Sequence, residues 1–355
     1  MIRKLWPAAV VAAIAVFVVA CSDDDDPSPT ATLSGSTSST ATATVEPASG
    51  TITLYSGRSE SLVAPLIAQF ESDTGIEVEV RYGGSAAMAA QIAEEGNATP
   101  ADVFWAQDPG PVGFLSDRFA TIPDAVLERV DDGFKSPEGT WVGVSGRVRV
   151  VVYNPERVEV SELPDSMQDL TDPVWQGRIG WAPTNGSFQI MVTAMRKLLG
   201  DDATGAWLEA VKNNGAQVYG NNNAVLQAVA AGEVDIGIIN HYYLHAARRS
   251  TPDITAENHY LNNDDAGSLI MVSGAGILST SDNLPAAQAF IDYLLSPSAQ
   301  QYFAIQTSEY PLIEGIITPP NLTPIDDLVG PKLDLADLND LEGTLALLRE
   351  AGLVQ

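Results

Sequence analysis

The sequence lacks most of what several functional classes need. Cys21 is the one cysteine among 355 residues, so the mature chain can form no internal disulfide and no thiolate metal site. It has three histidines, and neither a Gly-x-Ser-x-Gly elbow nor a His-Glu-x-x-His zinc pair occurs, which disfavours an extracellular hydrolase. Positive charge is scarce, since 18 Lys and Arg face 46 Asp and Glu for a formal net charge of -28. This balance excludes a nucleic-acid partner, because a phosphate backbone would be repelled.

The first fifty residues indicate export and a tether. Arg3 and Lys4 precede an apolar run over 5–20 that is short for a bilayer span, and Val18-Val-Ala-Cys21 resembles a lipobox. We therefore predict a lipoprotein signal peptide over 1–20 and lipidation of Cys21, with membrane attachment through this lipid only. Residues 21–50 are rich in Asp, Ser, Thr, Ala and Pro, which predicts a disordered tether. A soluble secreted protein cut nearby and an uncleaved anchor are the alternatives.

The remaining chain has the pattern of an α/β protein. Strand, loop and helix alternate from residue 51 onward, which favours parallel sheets covered by helices. A chain of roughly 300 residues exceeds one ordinary core and predicts two lobes. Polar residues or glycine follow six predicted strand ends, near Tyr55, Arg81, Ala106, Ala182, Tyr219 and Ile239. Ligands bind at this edge of open sheets, and several of these loops open into helix N-termini, so we expect a cleft that attracts anions.

The most informative stretch runs from Val234 to Tyr243. Its β-branched apolar run, 234–239, predicts a buried strand, and Leu244 starts a predicted helix, so Tyr242 and Tyr243 fall at a strand-to-helix junction. Consecutive side chains leave the backbone in different directions, so adjacent tyrosines suit core packing poorly. As phenolates they would be hard oxygen ligands for a highly charged cation. The alternative is two half-buried aromatic rings that hold a loop over the core.

Nine segments, in order over most of the chain after residue 50, carry a family resemblance. They are Leu54-Tyr-Ser-Gly57, Pro100-Ala-Asp-Val-Phe104, Val144-Ser-Gly-Arg-Val-Arg-Val-Val-Val-Tyr153, Trp175-Gln-Gly-Arg-Ile-Gly180, Pro183-Thr-Asn-Gly186, Leu226-Gln-Ala-Val229, Gly232-Glu-Val-Asp235, Asn240-His-Tyr-Tyr243 and Glu309-Tyr-Pro-Leu312. In these segments the chain resembles periplasmic ferric-ion-binding proteins, the solute-binding components of iron ABC transporters. The resemblance implies a bilobal periplasmic-binding-protein-like fold of class II type. Its α/β lobes would be 51–147 plus 275–318 and 148–274 plus 319–355, with hinge strands near Gly146–Val150 and Val272–Gly276.

The resemblance also implies a cargo and a site. Fe(III) would be held by Tyr242 and Tyr243, and a synergistic anion (carbonate, phosphate or citrate) would complete the iron's ligands. The residues implied to bind the anion are Asn185, Gly186, Ser187, Asn222 and Asn240. The family further implies a monomeric receptor without enzymatic activity that delivers iron to an inner-membrane ABC permease.

Two positions depart from the family pattern. Many members have a histidine in the first loop and a glutamate after the third strand, where this sequence has Ser59 and Gln107. A hydroxyl and a neutral amide are weak ligands for a hard trivalent cation. The candidates for further first-lobe contacts are Arg58, Ser59, Glu60, Gln107 and Asp108. Arg58 and Arg147 could hold a second anion, and Glu60 or Asp108 could supply the missing carboxylate. Tyr55 and Tyr82 are candidates for additional tyrosine ligands. These departures keep open a receptor of the same fold that binds an iron chelate or a small organic or phosphorylated anion.

His241 and His245 give one further metal hypothesis. Their i, i+4 spacing places both rings on one helix face, where they could bind a metal. The alternative is a capping or solvated histidine near a helix start.

Overall fold

The computed structural model describes residues 48–261, 264–328 and 330–355. The predicted signal peptide, the lipidation site Cys21 and the predicted tether, except for residues 48–50, lie outside the described residues. Within those ranges, no helix has both the length and the apolar character needed to cross a bilayer.

Nine strands of the described chain form one mixed sheet. They are β1 (Thr51–Ser56), β2 (Glu77–Tyr82), β3 (Val103–Ala106), β4 (Trp141–Tyr153), β5 (Ile179–Trp181), β6 (Gln217–Val218), β7 (Ile236–Asn240), β8 (Glu257–His259) and β9 (Ile270–Ile277). Their order is β2-β1-β3-β9-β4-β7-β5-β6, with β8 beside β4. The pairs among β1, β2 and β3 and among β5, β6 and β7 are parallel, whereas every pair that includes β4 or β9 is antiparallel. The expectation of parallel sheets is therefore wrong for β4 and β9, the strands in the middle of this sheet. Long connections lead into both strands, so either strand direction is possible.

Eleven α-helices occur in the described residues. They are α1 (Glu60–Thr74), α2 (Ser85–Glu95), α3 (Pro109–Phe114), α4 (Asp124–Leu127), α5 (Gly186–Leu199), α6 (Asp201–Asn213), α7 (Asn222–Ala231), α8 (Tyr242–Ser250), α9 (Leu284–Leu294), α10 (Pro297–Tyr302) and α11 (Leu341–Glu350). The predicted junction before the tyrosine pair is confirmed, although β7 begins two residues later and α8 two residues earlier than expected.

The thirteen-residue strand β4 connects the two halves of the sheet. All its residues are buried; residues 141–148 pair with β9, and Arg149–Tyr153 pair with β7. The predicted hinge segment Gly146–Val150 lies where the partner changes, and the second predicted hinge segment, Val272–Gly276, lies within β9 beside it. Alternate residues of β4 face opposite sides of the sheet. Consequently Val151 joins one hydrophobic core, and Val150 and Val152 join the other, beneath α7 and α8.

The C-terminal segment packs on three helices, α3, α5 and α6. A 3₁₀ segment, Leu335–Asn339, called the strap below, packs on α3, and α11 packs on α5 and α6. Two glycines of α3 allow this close approach. A Cβ on Gly110 would lie 2.5 Å from the Leu338 carbonyl oxygen, and one on Gly113 would lie 2.9 Å from the Ala336 carbonyl oxygen. The strap therefore lies directly against backbone at the cleft.

Candidate metal centre

Tyr242 and Tyr243 occupy the first turn of α8, immediately after β7. Their rings stack with centroids 4.6 Å apart and an interplanar angle of 26°, and both side chains are half-buried. The expectation that the adjacent side chains diverge is therefore wrong. Successive helical residues are about 100° apart, and two long aromatic side chains can span that angle to stack. The two phenols thus form one paired group at the end of the strand.

Asn240, the last residue of β7, orients polar groups toward this pair. Arg149 Nη1 donates to Asn240 Oδ1 at 3.1 Å, and its Nη2 donates to the Ile238 carbonyl at 2.9 Å. A guanidinium only donates, so the amide NH₂ of Asn240 must face the other way. It donates to Ser187 Oγ at 3.2 Å and reaches the Tyr242 hydroxyl at 3.5 Å. A donor aimed at this oxygen favours the phenolate over the phenol.

The five predicted anion-binding residues meet at the start of α5. Asn185 caps this helix, accepting from the backbone N–H of Ser187 at 3.1 Å and of Phe188 at 3.3 Å. Asn222 donates to Asn185 Oδ1 at 3.4 Å, and Asn240 joins the group through Ser187. Asn222 is fully buried, and its own Oδ1 has no partner among the described residues. Hydrogen bonds at the helix cap hold this group together, and Asn240 links it to the Tyr242 hydroxyl.

Three arginines in this region are buried: Arg147 and Arg149 act on the tyrosines, and Arg58 and Arg147 are ion-paired. Arg147 pairs with Asp108, and Arg58 pairs with Glu309 at 2.6 Å while donating to Gln107 Oε1 at 2.8 Å. Arg58 and Arg147, predicted to hold a second anion, and Asp108, predicted as a replacement carboxylate, are therefore already committed to partners. Part of each guanidinium is still unused, because four buried nitrogens have no partner among the described residues: Arg58 Nε, Arg147 Nε, Arg147 Nη1 and Arg149 Nε.

The charged neighbours act on the tyrosines in opposite directions. Burial raises the pKa of Tyr242 most, and the neighbouring Tyr243 raises it further, whereas Arg147 opposes the rise. Burial lowers the pKa of Arg149 to about 10, and the two tyrosines counter that shift, so Arg149 is cationic at neutral pH. Without a bound cation Tyr242 is a neutral phenol, and a metal that binds it must displace its proton.

Other predicted contacts do not join this group. Ser59 and Glu60 are exposed, and Ser59 makes no capping bond at the start of α1. Tyr55 belongs to a separate cluster, in which its hydroxyl accepts from Arg81 at 2.7 Å and donates to Glu95 at 3.2 Å. Tyr82 is 37% exposed at the end of β2 and has Glu60 as its charged neighbour.

Both hypotheses for the histidine pair are wrong. His241 is fully buried: its Nδ1 accepts from the Val148 backbone N–H at 3.3 Å, and its Nε2 donates to the Ser308 carbonyl at 2.8 Å. Both ring nitrogens are therefore occupied and cannot bind a metal. His245 is also buried, and its Nδ1 lies 3.3 Å from the side-chain nitrogen of Asn321. His241 is a structural residue that links β4 to the segment before Glu309.

Sequence reasoning missed Arg149 and Glu309. Arg147 and Arg149 are two residues apart on β4, so they share one face of a strand whose other residues here are valine and glycine. Charged residues in a buried strand require partners, and that signal was present in the sequence. Glu309 belongs to one of the segments that carry the resemblance, but nothing in its sequence neighbourhood points to Arg58, 251 residues away.

The donor set of this site is dominated by oxygen. Among the described residues, no group of three or more His, Cys, Asp or Glu side chains is placed to hold a metal ion. The tyrosine pair instead offers two phenol oxygens, and hydrogen-bond donors nearby can hold an anion. Hard cations prefer such ligands.

Comparisons with known proteins agree on the fold and the class. Residues 113–325 match the family model described as bacterial extracellular solute-binding protein. The chain is 36% identical over 309 residues to the Fe(3+)-binding periplasmic protein of Serratia marcescens, covering 85% of this chain and 90% of that protein. It is similar to iron-bound HitA from Pseudomonas aeruginosa, with a TM-score of 0.79, 36% identity and coverage of 85% and 99%. It is also similar to Trichodesmium IdiA (FutA) in complex with iron and citrate ligands, with a TM-score of 0.75, 28% identity and coverage of 85% and 99%. The predicted bilobal α/β fold is thereby confirmed.

Proposed function

The chain belongs to the bacterial extracellular solute-binding proteins, in their ferric-ion-binding group, and we propose that it captures Fe(III) through Tyr242 and Tyr243. Like its relatives, it is a binding protein and not an enzyme. The observation that carries the proposal is the stacked tyrosine pair at the β7–α8 junction, whose hydroxyl edge is reached by the Asn240 amide and flanked by buried arginines.

A synergistic anion would complete the iron's ligands at the start of α5. Asn185, Gly186, Ser187, Asn222 and Asn240 would hold it, and the unused guanidinium nitrogens add hydrogen-bond donors. Carbonate, phosphate and citrate all present oxygens suited to such donors. The Trichodesmium complex, whose structure contains iron and citrate, supports an anion of this kind.

Closure of two lobes would trap the cargo. We propose lobes of 51–147 plus 275–318 and 148–274 plus 319–355, which move about the segment of β4 where its partner strand changes. A ligand favours the closed state only if it gains contacts there. Asp108 Oδ2 already comes within 3.7 Å of the Cβ position of Gly186, so residues after β3 and at the start of α5 meet across the cleft. We propose that Gln107 and Asp108, which bond to Arg58 and Arg147 in this structure, contact the cargo on closure.

The same proposal covers location and partners. The relative from Serratia marcescens is periplasmic, and we propose an extracytoplasmic chain held to the membrane by a lipid on Cys21. As a monomer it would deliver iron to an inner-membrane ABC permease. The acidic composition, with a formal net charge of -28, suits a cation-collecting protein outside the cell.

Titration with ferric iron tests the proposal. Fe(III) is added with carbonate, phosphate or citrate to a protein of residues 51–355 and to its Tyr242→Phe, Tyr243→Phe variant. The expected result is one iron per chain in the parent and loss of that binding in the variant. Tyr55→Phe is the matched control, because Tyr55 lies in a separate cluster and its change should leave uptake intact. Unchanged uptake in the double variant would defeat the site.

A further inference from the structure

A large cavity, called the chamber below, lies between α2, α3, the start of α5 and the strap. Its volume is about 620 Å³, and its walls include Ala86 and Ala90 of α2, Phe114 of α3, Ile190 of α5 and Leu338 of the strap. A water molecule occupies about 30 Å³ of liquid, so the chamber could hold roughly twenty waters. Its size falls within the range of about 300–1,000 Å³ that is typical of sites for organic ligands. Carbonate or phosphate would leave most of it unfilled.

The walls of the chamber suit an apolar ligand. Besides the residues named above, glycine, alanine, proline and leucine side chains or backbone line the chamber, and its polar residues are few. Displacing water from apolar walls is favourable when the incoming group is itself apolar. An aromatic ring fits such a space, because it brings a large apolar area with a specific packing geometry.

The polar end of the chamber is linked to the tyrosine site through bonded residues. Gln107, Asp108 and Gly186 line it there. Gln107 accepts from Arg58 at 2.8 Å, Asp108 pairs with Arg147, and Gly186 is followed by Ser187, which accepts from Asn240. Arg58 and Arg147 are buried and retain nitrogens that have no partner in the described residues. Buried donors without partners point to a missing acceptor.

The chain itself supplies too few ligands for the iron. Hard cations take roughly six oxygen ligands, and the tyrosines offer two of them. The carboxylates nearest the site, Asp108 and Glu309, are ion-paired with arginines. Three buried guanidiniums against these two carboxylates leave one net positive charge, which favours a cargo that carries its own anionic oxygens.

We propose that this chain takes up ferric iron already bound to a small aromatic oxygen chelator of the catecholate class. The iron faces Tyr242 and Tyr243, anionic chelator oxygens meet the arginines and the start of α5, and the aromatic ring occupies the chamber. This inference rests on the proposed function, since it uses the same tyrosine pair. It differs in assigning most of the remaining iron ligands to an organic molecule that has an apolar body.

Filling the chamber tests the inference. Ala90 is an exposed alanine on the chamber side of α2, so Ala90→Phe places a ring in the cavity without disturbing the core. Ala206→Phe is the matched control, because Ala206 is an exposed alanine of α6 away from the chamber. The full chain and both variants are titrated with ferric 2,3-dihydroxybenzoate and, separately, with ferric iron and carbonate.

We expect Ala90→Phe to weaken binding of the aromatic chelate by at least about tenfold, because the chelator's ring loses its apolar site. The same change should alter iron binding with carbonate by less than about twofold. Ala206→Phe should change neither. Two results would overturn the inference and leave the proposed function standing. One is an equal affinity of Ala90→Phe and the parent chain for the chelate, and the other is an equal loss of affinity for both forms of iron. Failure of the parent chain to bind iron in either form would overturn the proposed function as well.

Discussion

The buried ion pair between Arg58 and Glu309 offers a sharp test of how the site is held together. The Arg58 side chain is 0% exposed and that of Glu309 is 2% exposed, and Thr307 Oγ1 also donates to Glu309 at 3.0 Å. Glu309→Gln keeps the shape and one acceptor oxygen but leaves the guanidinium buried without a countercharge. Removing one partner of a buried pair typically costs about 3–5 kcal/mol. Because the amide still accepts one bond, we expect the lower end, about 3 kcal/mol.

Thermal unfolding provides the assay. A folded part of roughly 300 residues has an unfolding entropy of about 0.6 kcal/mol/K, so about 3 kcal/mol lowers Tm by about 5 °C. Asp292→Asn is the control, because its pair with Arg129 is exposed, with side chains 53% and 38% accessible, and should cost less than about 1 kcal/mol. The double variant Arg58→Met, Glu309→Leu removes both charges and should recover most of the loss. A Glu309→Gln variant no less stable than Asp292→Asn would refute the reasoning.

Three further predictions concern protons and packing. Lowering the pH from 7 to 6 should weaken iron binding by at least about tenfold, because the metal must displace the proton of Tyr242, and the Tyr242→Phe variant should release one proton fewer per iron in a pH-stat titration. Burial lowers the pKa of His241 to about 3, while an unfolded histidine titrates near 6.5, so stability should fall as pH drops through this window by up to about 1.4 kcal/mol per unit. Urea denaturation from pH 6.5 to 4.5 should show that His241→Gln loses this part of the slope; an unchanged slope would contradict the assignment. Gly110→Ala should lower the free energy of unfolding by about 1–3 kcal/mol, because the new Cβ would push on the strap backbone. Gly133→Ala has open space around its new Cβ and should have the same Tm as the parent chain.

The local signals of the sequence predicted the strand and the helix that carry the tyrosines. A β-branched run that ends in polar residues and tyrosines predicts a strand edge that faces a cleft, and β7 and α8 have that arrangement. The family resemblance, and not a local signal, implied that the Asn185-Gly-Ser187 start of α5 and the two distant asparagines form one site; hydrogen bonds join them, and their binding of an anion stays a prediction. The strand and the helix start were predictable because strand burial and helix capping depend on neighbours in the sequence.

Long-range pairing was beyond sequence reasoning. The direction of β9 depends on which strands it meets after a connection of many residues, and alternation of elements does not encode it. Glu309 meets Arg58 across 251 residues, and His241 was expected at a helix surface, whereas it lies buried between β4 and the Ser308 carbonyl. The strap forms one wall of the chamber, and it can approach α3 closely only because Gly110 and Gly113 have no side chain.

The visible absorption spectrum of the iron-loaded chain tests the central claim most directly. With Fe(III) and carbonate, phenolate-to-iron charge transfer through Tyr242 and Tyr243 should give a visible band that rises to one iron per chain and disappears in the Tyr242→Phe, Tyr243→Phe variant. A chain that binds one iron without such a band, or a double variant that retains it, would contradict the account.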